Sequence, residues 1–181
     1  MPAVAESTIS TSDGLFFLQD TDYEAMTNAQ LAAFADAREP GRGRGGGRLL
    51  GTAGGTLLVR SVDQSSRPTV RVEIWDTTPD VFESPWQWQD ARTLTLTTGH
   101  FWVSDGDGEA PEPLRNLDAG AGAGTYSIRL AHDGREAARE AIARVRRRTI
   151  HATTAESDAA WHGIIGIERY LIRIWPATPT I

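Results

Sequence analysis

Apolar and polar residues alternate in stretch after stretch of this chain, and that pattern restricts the fold more than any other feature. In "TVRVEIWD" (Thr69 to Asp76), Val70, Val72 and Ile74 fall on one side and Arg71, Glu73 and Trp75 on the other. A period of two places alternate side chains on opposite faces of an extended strand. The same period sets Leu94 and Leu96 against Thr93, Thr95 and Thr97 in "RTLTLTTG". It also puts Phe101 and Val103 inward in "HFWVSDGDG", and Tyr126, Ile128 and Leu130 inward in "GTYSIRLA". "ERYLIRIWP" (Glu168 to Pro176) buries Tyr170, Ile172 and Ile174. "DGLFFLQD" (Asp13 to Asp20) is apolar on both faces, and "GTLLVRSV" (Gly55 to Val62) adds a further strand. Strands separated by Gly, Pro, Asp and Ser predict a two-layer antiparallel β-sandwich.

Two segments break this period. "DGREAAREAIARVRRR" (Asp133 to Arg148) predicts a helix before the last strand, with Asp133 at its cap and Glu140 four residues ahead of Arg144. Ala138, Ala141, Ile142 and Val145 form a narrow apolar stripe to lie against the sheet. "YEAMTNAQLAAFADA" (Tyr23 to Ala37) predicts a short N-terminal helix. His151 to Gly163 reads as a loop, and Thr97 to His100 as a tight hairpin. The 181 residues suit one domain, 1–181, long enough to bury a core, with a flexible Gly/Arg-rich loop at 39–48.

The chain has no cysteine, which excludes disulfides, thiolate chemistry and Cys-ligated zinc. It also has no lysine: all 18 basic residues are arginine, so a P-loop or a Schiff-base lysine is excluded. A net charge of -6 argues against direct nucleic-acid binding. The sequence contains no membrane-spanning apolar run and no secretory signal at its start, and a cytoplasmic location is expected. No cofactor is expected.

"GRGRGGGR" contains G-x-G-x-x-G at Gly41, Gly43 and Gly46, but no strand precedes it and no helix follows, so it reads as a loop. "DGDGE" (Asp105 to Glu109) fails as a calcium loop of the EF-hand type, because its sixth position is Ala110 and its twelfth Asn116. Arg144, Arg146, Arg147 and Arg148 could grip phosphate or an acidic partner, but a solvated helix end explains them as well. The 4 histidines stand apart in sequence, with no H-E-x-x-H motif and no G-x-S-x-G elbow.

The 6 tryptophans are the unusual feature. Trp86 and Trp88 sit two apart and share a side of an extended segment, while Trp75, Trp102 and Trp175 oppose the aliphatic stripes of their strands. Either both sheet faces are covered, with a second small core under the helices, or aromatic surface is left for a partner. The first is the commoner arrangement.

"G-x-Y-x-[VI]-R" at Gly124 to Arg129, "G-R-x-A-A-R" at Gly134 to Arg139 and "Y-L-[IV]-[QR]-[IVL]-W-P" at Tyr170 to Pro176 resemble small actinobacterial β-sandwich proteins. More remotely, the strand order is similar to that of the competence-associated inhibitors of a DNA-entry nuclease. That resemblance rests on layout across most of the chain, and it implies an antiparallel sandwich with no catalytic site.

The expected function is a non-enzymatic protein-binding module, of inhibitor or immunity type, acting on a nuclease or toxin. Its candidate contact residues are Asp76, Asp80, Glu83, Asp105, Asp107 and Glu109, with Trp86 and Trp88 as anchors. A hydrolase with a dispersed histidine site and a structural or assembly subunit, including a homo-oligomer, remain open alternatives.

Overall fold

The structure, a computed structural model, describes residues 1–37, 48–80, 85–89 and 91–177, and of residues 23–27 the backbone alone. In chain order its elements are β1 (Ala3–Thr8), β2 (Leu15–Asp20), α1 (Tyr23–Asp36), β3 (Leu50–Ala53), β4 (Thr56–Arg60) and β5 (Thr69–Ile74). There follow β6 (Gln87–Trp88), β7 (Arg92–Leu96), β8 (His100–Asp105), a single 3-10 turn at Glu112–Leu114, and β9 (Leu117–Asp118). The chain closes with β10 (Gly124–Asp133), α2 (Arg135–Arg148), α3 (Thr154–His162) and β11 (Arg169–Pro176). Most of the Gly/Arg-rich segment, residues 39–47, lies outside the described residues.

The strands form two stacked sheets. One is ordered β1-β5-β11-β10-β6, with β7 also paired to β10, and the other β3-β4-β2-β8-β9. Pairing is antiparallel except between β11 and β5, which run parallel with Ile172 beside Val72. The expected sandwich is therefore the observed fold. Its interior holds the predicted stripes: Val70 and Val72, Leu94 and Leu96, Phe101 and Val103, Tyr126 to Leu130, and Tyr170 to Ile174 at alternate positions. Phe16 and Tyr170 meet edge to face across the layers, with ring centroids 5.0 Å apart. Each such side chain contributes about 1.5–3 kcal/mol by leaving water.

The two apolar faces of "LFFLQD" have separate partners. Phe16 and Leu18 enter the sandwich, whereas Leu15 and Phe17 join Ala33, Ala37 and Leu58 beneath α1. Close approach is possible because β3 carries Gly51, where a Cβ would lie 2.1 Å from the Ala33 carbonyl oxygen.

Several local expectations are corrected. Thr97 to His100 is not a hairpin: β7 pairs with β10 in one sheet and β8 with β2 in the other, so the turn is a corner between layers. Asp20, at the end of β2, holds that corner by accepting from the Thr97 amide, the Thr97 hydroxyl at 3.0 Å and the Thr98 hydroxyl at 2.7 Å. Gly99 takes φ 76 there, and a Cβ would fall 2.4 Å from the Gly122 carbonyl carbon.

The segment His151 to Gly163 is not a loop but carries α3, whose Thr153 and Glu156 form a reciprocal capping box. Asp133 does not cap α2. Gly134 in the left-handed region takes that position, and Asp133 instead pairs with Arg169. The α2 stripe of Ala138, Ala141, Ile142 and Val145 is buried as expected. Ala138 and Ile142 face Ser65 to Arg67 and, from α3, Trp161 across a cavity of about 280 Å³. No helix among the described residues is long and apolar enough to cross a membrane.

Candidate protein-binding face

The outer face of the first sheet is assembled by register. Arg173 on β11 lies beside Glu73 on β5 and opposite Arg129 on β10. These are the polar members of the alternating stretches, so the pattern that buries Val72 and Ile172 necessarily turns Glu73 and Arg173 outward. Trp88 reaches the same face because β6 sets it opposite Ala131.

Arg173 is the centre of this face. It is 2% exposed, and its Nε donates to Glu73 Oε2 at 2.9 Å. Its Nη1 donates to the Asp80 carbonyl oxygen at 2.7 Å. The guanidinium lies 4.9 Å from the ring centroid of Trp88 and 5.6 Å from that of Trp75. Trp75 in turn donates its indole N–H to Glu73 Oε2 at 3.3 Å, and Arg71 Nε donates to Glu73 Oε1 at 3.0 Å. A flat, weakly hydrated guanidinium suits this position between indole rings better than an ammonium would. Trp86 repeats the arrangement, its ring 5.6 Å from the guanidinium of Arg169. The Arg129 Nε, also buried, has no hydrogen-bond partner among the described residues.

Trp75, Trp86 and Trp88 therefore stack on arginines and stay partly exposed. The second small core lies on the other sheet, under α1, and holds none of these tryptophans. On the other sheet Trp102 donates to Gln19 Oε1 at 3.4 Å.

The structure brings Trp86, Trp88 and the Asp80 backbone together around the β11 arginines, and leaves the Asp76 and Asp80 side chains exposed. Glu83 lies outside the described residues. Asp105, Asp107 and Glu109 belong to the turn after β8 in the other sheet. There Asp105 Oδ1 accepts from the Asp107 and Glu109 amides at 3.0 and 2.9 Å. Arg144, Arg146, Arg147 and Arg148 are all exposed on α2, with Arg146 paired to Asp63 at 2.7 Å. Sequence reasoning missed Glu73 and Arg173 as a buried pair; their outward phase was visible, but not that they become neighbours.

The histidines make no catalytic constellation among the described residues. His132 Nε2 lies 3.5 Å from the Gln89 amide nitrogen. Ser61, which lines a surface cleft together with His132, gives its hydroxyl to Glu168 at 2.7 Å. Burial pushes the His132 imidazole below its ordinary pKa, and the nearby Arg135 charge adds to that, against the opposing pull of Glu168 and Asp133. His100 Nδ1 lies 3.3 Å from the Thr98 carbonyl oxygen, and His151 and His162 are exposed. No group of three or more His, Asp or Glu among the described residues is placed to hold a metal ion.

Fold and face together define a two-sheet β-sandwich with an arginine–tryptophan surface on one layer. No protein-family model matches the chain, and no curated protein matches it by sequence. Solved structures do match its fold. One, described as crocagin biosynthetic gene J, superimposes with a TM-score of 0.52 at 14% identity over 98% of this chain and 99% of its own. Another is ComJ of Bacillus subtilis, described as the inhibitor of the DNA degrading activity of NucA. It gives a TM-score of 0.50 at 10% identity over 98% of this chain and 99% of its own. At such identities the likeness is one of fold, and it singles out no actinobacterial family.

Proposed function

We propose that this chain is a non-catalytic protein-binding module of the inhibitor or immunity type, and that its target is a nuclease or a toxin. The observation that carries the reading is the face around Arg173, where Trp75, Trp86 and Trp88 stay partly exposed on arginines. Rigid aromatic anchors beside arginine are the side chains that dominate protein–protein contacts. The nuclease as target draws on the fold shared end to end with ComJ. A net charge of -6 suits docking into a basic nucleic-acid cleft, where opposite potentials speed encounter.

Trp86 and Trp88 would enter the partner, with Asp76 and Asp80 presenting negative charge; Glu83, three residues before Trp86 in sequence, is a further candidate for substitution. Asp105, Asp107 and Glu109 form a second acidic turn to be tested separately. The protein is immobilised, native lysate of its source is passed over it, and eluates and lysate nucleases are assayed for DNA degradation with and without free protein. The expected result is a captured partner and inhibition at micromolar protein, both lost in Trp86→Ala/Trp88→Ala. Neither capture nor inhibition, or full inhibition by that double variant, overturns the reading.

A further inference from the structure

A second surface lies apart from the Arg173 face. A cleft of about 450 Å³ is lined by Arg48, Arg60, Gln89, His132, Arg135 and Arg139, among others. The chain is acidic overall, so this concentration of cations is local. A further hollow next to it shares His132, Arg135 and Arg139 and extends to Gly134 at the start of α2. The amino end of that 14-residue helix adds partial positive charge, with no side chain capping it.

Among the described residues, carboxylates pair with three of the four cleft arginines and leave Arg60 without one. Glu168 is buried and committed to Arg135 at 3.0 Å. Glu136 pairs with Arg139 and Asp36 with Arg48, at 2.7 and 3.8 Å, both pairs solvent-exposed. Such pairs hold their partners weakly. Asp133 is taken by Arg169. Arg60 has no carboxylate partner among the described residues: its guanidinium stacks on Phe34, 5.2 Å from the ring centroid.

Two buried nitrogens at this cleft lack acceptors. Arg60 Nε and His132 Nδ1 are both shut off from solvent and make no hydrogen bond among the described residues. When the Gln89 amide nitrogen donates to His132 Nε2, the ring proton sits on Nδ1, which is then an unused donor. Both atoms are shut off from solvent, so they mark a lining rich in unanswered donors rather than contacts that a ligand in the cleft would make. Donors spread over several sides match the oxygens of phosphate better than the two of a carboxylate, and arginine binds phosphate in a fork.

We propose that the cleft between β4, β10 and the first turns of α2 is a binding site for the phosphate group of a small molecule, with Arg60 and Arg139 as its principal contacts. Free phosphate and a phosphomonoester share that chemistry, and titration separates them. Isothermal titration of the intact protein with inorganic phosphate, pyrophosphate and adenosine monophosphate is expected to show saturable binding of at least one, with Kd at or below about 1 mM. Acetate is expected not to compete.

Arg60→Gln and Arg139→Gln are each expected to weaken binding by about tenfold or more, whereas Arg147→Gln, at the far end of α2, leaves it unchanged. The Arg139 side chain is exposed, so its variant reports on binding even if Arg60→Gln folds poorly. Failure of all three ligands to saturate by about 10 mM overturns the proposal. So does equal loss in Arg139→Gln and Arg147→Gln, which marks general charge attraction. Binding of a 5′-phosphorylated oligonucleotide in the absence of small-phosphate binding also overturns it. None of these readouts involves a protein partner, so the site stands or falls independently of the inhibitor reading.

Discussion

Replacing Glu168 by alanine is expected to remove a large share of the stability of this protein. The carboxylate is 1% exposed and ties together three parts of the chain. Oε1 accepts from the Val62 amide at 3.0 Å, from Arg135 Nη1 at 3.0 Å and from the Tyr170 hydroxyl at 2.6 Å. Oε2 accepts from the hydroxyls of Ser61 at 2.7 Å and Ser66 at 2.5 Å. Burial, with the Glu168 charge beside it, also pushes the Tyr170 phenol well above its ordinary pKa, so Tyr170 stays a neutral donor. In Glu168→Ala the guanidinium of Arg135, 15% exposed, loses its counter-charge while remaining largely out of water. Breaking a buried pair from one side costs about 3–5 kcal/mol, set against a typical total stability of about 5–15. For a chain of this size that predicts a fall in Tm of roughly 6–20 °C.

Thermal and urea melts followed by circular dichroism measure the loss. The double variant Glu168→Ala/Arg135→Met is expected to recover part of it, because the stranded charge is gone. A single variant melting within about 2 °C of the parent refutes the reasoning. So does a double variant whose loss equals the sum of the two single losses.

The remaining predictions concern the sheet corner and the last strand. Burial raises the Asp20 carboxyl, but hydrogen bonds from the Thr98 hydroxyl, the Asp22 and Thr97 amides and the Thr97 hydroxyl outweigh it and hold the pKa below its ordinary value of 3.8. Its stabilising contribution is therefore present above that ordinary value and lost as pH falls through the lower folded one. Asp20→Asn should be less stable than the parent at pH 7 and converge toward it in acid; a gap that stays constant from pH 7 to pH 2 contradicts this. Gly99→Ala should destabilise the corner through both its positive φ and the approach to Gly122, and an unchanged melting temperature would count against that. Deleting everything after Glu168 removes β11 from between β5 and β10 and should abolish the cooperative melt; a truncated chain that still unfolds in one sharp transition contradicts it.

What could be known from the string of residues follows from local chemistry. Strand phase is local, because each side chain's face depends only on its neighbours. The buried stripes of β5, β7, β8, β10 and β11 were therefore legible, as was the apolar stripe of α2. The capping box at Thr153 and Glu156 is equally local, a T-x-x-E spacing that marks a helix start. Sheet membership is not local. The residues of β7 and β8 look like two arms of one hairpin, and what separates them is Asp20, far away in sequence, together with the Gly99–Gly122 contact.

The same holds for both surfaces. Arg60, His132 and Arg139 are scattered along the chain and share a cleft once β4, β10 and α2 pack together. Glu73 and Arg173 each present an outward polar side chain, as alternation requires. Their meeting, and the two indole rings stacked on that arginine, depend on β11 running parallel to β5 in one register. Pairing of distant strands is a cooperative property of the packed molecule, since the free energy that selects it comes from burying whole faces at once.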